Sequence, residues 1–231
     1  MRFQDAAKDA RAVVYAGIQA DPAVARMADL LVEASQGERV LARAVMNGET
    51  TDPDAWRTMF PTLFGGGAVA SAEAVLAAAL DIAGRGEQAR SQFRGAIVEA
   101  LTERLLARRV PATTVHRERR ILFDGVRAEI HPYDVTVELP ARAEAYDCKW
   151  GARGINEEVL LQLDSARANA EAEEIRVLAA LVVFDARRSC RVRLAQLRPW
   201  PGVRLVALES LDALGRAKAP AQPVPTPARA P

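Results

Sequence analysis

Four residues near the middle of the chain, Glu99, Asp134, Asp147 and Lys149, have types and spacings suited to chemistry on a phosphate with the help of a divalent cation. Asp147-Cys148-Lys149 follows Asp134 by thirteen residues, and both lie in stretches with β-type patterning. Side chains alternate along a strand, so Asp147 and Lys149 share one face while Tyr146, Cys148 and Trp150 take the other. On the preceding strand Asp134, Thr136 and Glu138 share a face, and Val135, Val137 and Leu139 take the apolar side. Two neighbouring strands thus bury an apolar face and aim acids, with one amine, the same way. Asp134, Asp147 and the Cys148 carbonyl then offer three oxygens to one hard ion such as Mg²⁺.

An acid-x-lysine triplet alone is a weak signal, but this composition sharpens it. Of the 31 lysines and arginines only Lys8, Lys149 and Lys218 are lysine, so a chance positive charge would most often be arginine. The competing reading is an exposed Asp147–Lys149 salt bridge, which contributes little stability. Glu99 lies on an amphipathic helix, where Glu103 one turn later is the alternative acid. Strand parity points Cys148 inward as a core thiol rather than a nucleophile. His131, beside Pro132, is a weak ligand candidate, and Trp150 is expected against the helix from Asn156 rather than on a base.

The elements that must position these residues follow from periodicity. Residues 1–87 read as an all-helical lobe: Phe3–Gln19, then a helix started by Asp21-Pro22, then Val40–Met46 after a Gly37 terminator. Thr51-Asp52-Pro53 starts another helix, and Ser71 is expected to cap an alanine-rich one after Gly65-Gly66-Gly67. None of these helices shows a polar constellation that suggests chemistry. Gly84-Arg85-Gly86 is the best domain boundary, giving a second domain over residues 88–216. There a long helix, Arg90–Arg109, precedes strands at Thr113–His116, Arg120–Phe123, Ala128–Leu139 and Arg142–Trp150. Pro140-Ala141 makes the last two an antiparallel hairpin. A helix over Asn156–Glu174 leads to the apolar run Ile175–Phe184, a strand buried on both faces, and a short strand follows at Val203–Leu208. The fold class is therefore α/β with a mixed sheet between helices. The Pro/Ala-rich stretch 217–231 is expected to be disordered.

The residues Asp134 and Asp147-Cys148-Lys149, after a helical segment Gly95-Ala96-Ile97-Val98-Glu99, resemble the PD-(D/E)XK, or restriction-endonuclease-like, nuclease superfamily. The order helix, antiparallel strands, helix, strand matches that family's core, with the helical lobe outside it. Tyr133 separates Pro132 from Asp134, a departure from the literal signature. The resemblance implies Mg²⁺ or Mn²⁺ held by Asp134, Asp147, the Cys148 carbonyl and Glu99. It also implies Lys149 as the cation that orients water or offsets charge, Gln162 as a supporting residue, and DNA phosphodiester hydrolysis without a covalent intermediate. The alternatives are a non-catalytic nuclease-fold module that binds DNA or a protein through the helical lobe, and an adaptor in which Asp134 and Lys149 lie far apart.

Composition adds bounds. A net charge of +1 over 231 residues requires that any basic surface be local. Arg108, Arg109, Arg117, Arg119 and Arg120 form the densest cluster and are the expected phosphate contacts; a solvated helix end and strand edge is the plainer reading. Two cysteines give no disulfide framework, and no signal peptide or membrane span is legible, so a cytoplasmic location is expected. Homodimerisation, common among nucleases of this type, is left open.

Overall fold

A computed structural model describes residues 1–6, 10–66, 69–126, 131–140 and 142–216. Ala128, Ala141, Gly67, Lys8, Lys218 and the expected disordered stretch 217–231 lie outside the described residues.

The chain opens with a strand, β1 (Arg2–Asp5), followed by helix α1 (Ala10–Gln19). An all-helical beginning is therefore corrected: residues 2–5 pair antiparallel with a later strand instead of extending the helix. Then come α2 (Pro22–Glu33), α3 (Gln36–Asn47), α4 (Pro53–Met59), α5 (Pro61–Phe64) and α6 (Val69–Ala83). Asp21 and Asp52 cap their helices ahead of a first-turn proline, as the sequence indicates. Gly37 does not terminate anything. Ser35 and Glu38 form a reciprocal cap, which starts α3 across the glycine. Ser71 likewise sits within α6 rather than ahead of it.

The second half runs α7 (Glu87–Ala107), β2 (Val115–Leu122), β3 (Tyr133–Leu139), β4 (Arg142–Lys149), α8 (Glu157–Ala172), β5 (Arg176–Val183), α9 (Arg187–Leu194) and β6 (Arg204–Ala207), ending in a 3-10 segment over Leu208–Leu214. The protein is mixed α/β. Its six strands lie in sequence order, β1 through β4 antiparallel and β4–β5–β6 parallel, with α8 as the crossover that makes the β4–β5 step parallel. The two short strands expected around Arg117–Arg119 are one continuous strand, β2.

Each sheet face has its own core. Val135, Val137, Tyr146, Cys148 and Val182 pack with α7 residues Ile97, Leu101 and Leu105, and the same buried cluster continues into α2, α3 and α6. The helices before Gly86 therefore share their core with the sheet. On the other face Ala145, Leu181 and Val183 pack with Leu160, Leu163 and Ala166 of α8. Parity along β4 is as expected, with Tyr146 and Cys148 in the α7-side core. Trp150 also lies there: its ring is 4.9 Å from that of Phe184 and its indole N–H donates to Asn47 at 2.9 Å, not to the helix from Asn156. No helix among the described residues is long and apolar enough to cross a membrane.

Candidate metal centre

The acids meet where α7, β2, β3 and the end of β4 converge. One carboxylate oxygen each from Glu99, Glu118 and Asp134 lies within 4.8 Å of the other two. Oxygens bound to one Mg²⁺ at about 2.1 Å can be at most about 4.2 Å apart, so a small rotation of these side chains gives a hard oxygen triad for one dication. Asp147 is not in that triad. Its carboxylate is ion-paired with Lys149, close enough that its charge acts on Asp134 and Glu118. Asp134 also accepts the backbone N–H of Cys148 at 2.5 Å, which fixes it against β4. It is thus the amide of Cys148, where its carbonyl was expected as a ligand, that meets Asp134. The adaptor reading, with Asp134 and Lys149 far apart, is corrected: the Lys149 charge acts on both Asp134 and Glu99.

Glu118 was not legible as a site residue. It sits among Arg117, Arg119 and Arg120 and reads as part of a basic run. Its φ of 53° is left-handed, a conformation an L-residue rarely adopts, in a strand whose flanking pairs Arg117↔Val135 and Arg119↔Tyr133 stay in register. The kink costs on the order of 1–2 kcal/mol, the kind of local strain that persists where the surrounding structure over-determines it.

Two further residues come from α1, the helix that showed no polar constellation. Tyr15 donates its hydroxyl to Glu99 Oε1 at 2.5 Å, and Gln19 donates Nε2 to Glu99 Oε2 at 2.7 Å and to Glu118 at 3.4 Å. Gly95 makes this possible: a Cβ there would come within 2.9 Å of the Tyr15 hydroxyl. Glu103, the alternative to Glu99, is turned away into an ion pair with Arg117.

Electrostatics define the hollow. Burial raises the Glu99 carboxyl above its ordinary range, only partly offset by Tyr15, Gln19, Arg117 and Lys149. Burial, then the Glu99 charge, pushes Glu118 up to about 7. Burial together with Asp147 and Glu99 holds Asp134 well above the usual carboxylate range. Burial alone would lower the Lys149 ammonium, but Asp147 and Asp134 more than reverse that, so it stays charged. Its stem is confined by Gly154, where an added Cβ would approach within 3.1 Å. Burial and Glu99 raise the Tyr15 phenol, keeping it a neutral donor. Cys148 is buried with its Sγ 3.5 Å from Thr102 and its thiol raised by burial, an inert core group.

The remaining expected residues lie elsewhere. Gln162 donates to the His131 carbonyl at 3.0 Å and accepts the Tyr133 hydroxyl on its own backbone carbonyl at 3.3 Å, so it braces the approach to β3 without touching the acids. His131 is exposed, 3.5 Å from Glu158. The arginine cluster is largely answered by acids: Arg108 by Glu33, Arg117 by Glu103, Arg119 by Asp5 and Glu138, and Arg109 by Glu144. Of these, Arg117 stands beside the hollow, and its charge acts on Glu99 and Glu118.

No protein-family model and no curated protein matches the chain. Among solved structures it is similar to the crystal structure of protein VC1899 from Vibrio cholerae, with 18% identity and a TM-score of 0.46 over 84% of this chain. The likeness spans 55% of that longer protein.

Proposed function

We propose that this chain is a cytoplasmic, Mg²⁺- or Mn²⁺-dependent deoxyribonuclease of the PD-(D/E)XK type. The observation that carries the reading is the triad of buried Glu99 with half-buried Glu118 and Asp134, drawn from α7, β2 and β3, beside the Asp147–Lys149 pair. Four carboxylates face two cations, Lys149 and Arg117, so the hollow is short of positive charge at neutral pH. A proton or a hard dication relieves that deficit, and the all-oxygen donor set suits Mg²⁺ or Mn²⁺.

Glu99, Glu118 and Asp134 would hold the ion, with Asp147 at the edge of the set. When bound, the ion would supply Lewis-acid polarisation of the scissile phosphate and a nucleophile at neutral pH. The protein side chains do the rest. Tyr15 and Gln19 hold the two oxygens of Glu99 in one orientation. Asp147 keeps Lys149 charged and aimed, so Lys149 serves as a fixed cation and hydrogen-bond donor toward charge developing on phosphate, and not as a base. Lysine suits this better than arginine because its charge is compact. Arg117, tethered by Glu103, adds a second positive charge beside the acids.

The test is incubation of purified protein with supercoiled, linear and single-stranded DNA over a Mg²⁺ and Mn²⁺ series, beside Asp134→Asn and Lys149→Ala. Wild-type protein should cut in metal and not in EDTA, with each variant slower by at least about a hundredfold. DNA bound equally well in EDTA, with no product at any metal concentration, would instead identify a non-catalytic binding module.

A further inference from the structure

Away from the acidic hollow, at the opposite end of β4, the parallel strands open into a cleft of about 900 Å³. That is the size of a pocket for a small organic ligand, typically about 300–1,000 Å³. Its lining is dominated by arginine. Two of these residues, Arg109 and Arg167, are already answered within the cleft by Glu144 and by Glu171, the latter at 3.0 Å. Four others, Arg142, Arg176, Arg204 and Arg216, are exposed and make no ion pair within 4.0 Å among the described residues. Against these four guanidinium groups the cleft offers one further carboxylate, Glu174, which leaves three positive charges unmatched.

The placement of two of them is costly on its own. Arg142 and Arg176 are direct partners in the β4–β5 register, so their side chains leave the same sheet face one strand apart. Like charges directly opposite are destabilising unless something negative lies between them. Arg204 starts β6 on that same face, opposite Ala180, and thus faces the cleft from the neighbouring strand. On that face the wall of the cleft is apolar, with Leu178 and Leu214. Guanidinium forks from several elements around an apolar wall fit the geometry of contiguous phosphates attached to an organic group. A single carboxylate would satisfy only one or two of them.

We propose that this cleft is a binding site for a small molecule bearing a polyphosphate, separate from the acidic hollow and independent of the nuclease reading. The full-length protein, in EDTA and at moderate salt, would be titrated calorimetrically with inorganic tripolyphosphate, with ATP and with a twelve-nucleotide single strand lacking a terminal phosphate. Tripolyphosphate and ATP are expected to bind with Kd below about 1 mM, and the double variant Arg142→Ala/Arg176→Ala to bind at least about tenfold more weakly. Both arginines are exposed, so that variant should melt near wild type, and Asp134→Asn should bind as wild type does. Tighter binding of ATP than of tripolyphosphate would identify a nucleotide as the source of the phosphates; equal binding would show that the phosphates suffice. No binding up to about 10 mM, binding unchanged in the arginine variant, or capture of the single strand alone would overturn the proposal.

Discussion

At the start of β4, Glu144 is buried against Arg109 and the Tyr146 hydroxyl; at its end, Asp147 and Lys149 adjoin Asp134, Glu99 and Glu118. The first group is closed. Arg109 also donates to the Leu214 carbonyl at 2.7 Å, so nearly every donor and acceptor is matched, and although burial opposes it, Arg109 and Tyr146 hold the Glu144 carboxyl below its ordinary range. The second group is open. Glu99, Glu118 and Asp134 repel one another and sit above their ordinary range. One strand thus carries a pair that stabilises the fold and a cluster that the fold must hold in place. Buried charge that is matched serves structure; buried charge left unmatched marks a candidate place for a ligand.

The sharpest way to break this contrast is to remove one charge at each end. Asp134→Asn should cost at least about a hundredfold in DNA cleavage while melting at or above the wild-type temperature, because it relieves repulsion. Arg109→Ala should do the reverse, losing about 3–5 kcal/mol of stability by stranding Glu144, yet cutting normally at a temperature where it remains folded. Equal effects of both substitutions on both measurements would erase the distinction. Metal should then act on one end alone: at a hundred times its Kd, Mg²⁺ should stabilise the wild type by about 2.7 kcal/mol, read as a rise in melting temperature that Asp134→Asn lacks.

The pH dependence has opposite signs at the two ends. Glu118 is raised from 4.5 to about 7, so its contribution is fully present below 4.5 and is lost as pH rises through 7. Metal-free protein should therefore melt lower at about pH 8 than at about pH 5, and Glu118→Gln should flatten that slope. Glu144 is lowered, so its contribution is present above its unfolded value and lost as pH falls through the folded one. Denaturant midpoints across acid pH, wild type beside Glu144→Gln, check that arm. The smallest effect is expected at the brace: Tyr15→Phe should slow cleavage by about tenfold and raise the metal concentration for half-maximal rate, without a comparable loss of stability.

What could be read from the sequence was whatever depended on neighbours along the chain. The β4 parity that buries Tyr146 and Cys148, the crossover by α8 and the proline-led helix starts all follow from short-range pattern. Lys149 stood out because lysine is scarce here, and Glu99 because the segment Gly95–Glu99 resembles a helix of the nuclease superfamily. The missing parts depended on backbone conformation or distance. Glu118 needs a left-handed kink that no residue type signals, and Tyr15 and Gln19 reach Glu99 across 84 and 80 positions. The strand β1 was hidden because four residues carry too little alternation to interrupt the helical pattern after them. The partners of the arginine run were hidden by distance, since the acids that Arg108, Arg117 and Arg119 pair with come from α2, α7 and β1.

Because Tyr15 and Gln19 reach Glu99 from the first helix, the beginning of the chain belongs to the proposed site. A message translated from a start codon beyond Gln19 would still encode every proposed ligand. Its product would carry a Glu99 free to swing and a β2 edge stripped of its partner strand, a protein with the right inventory and the wrong aim.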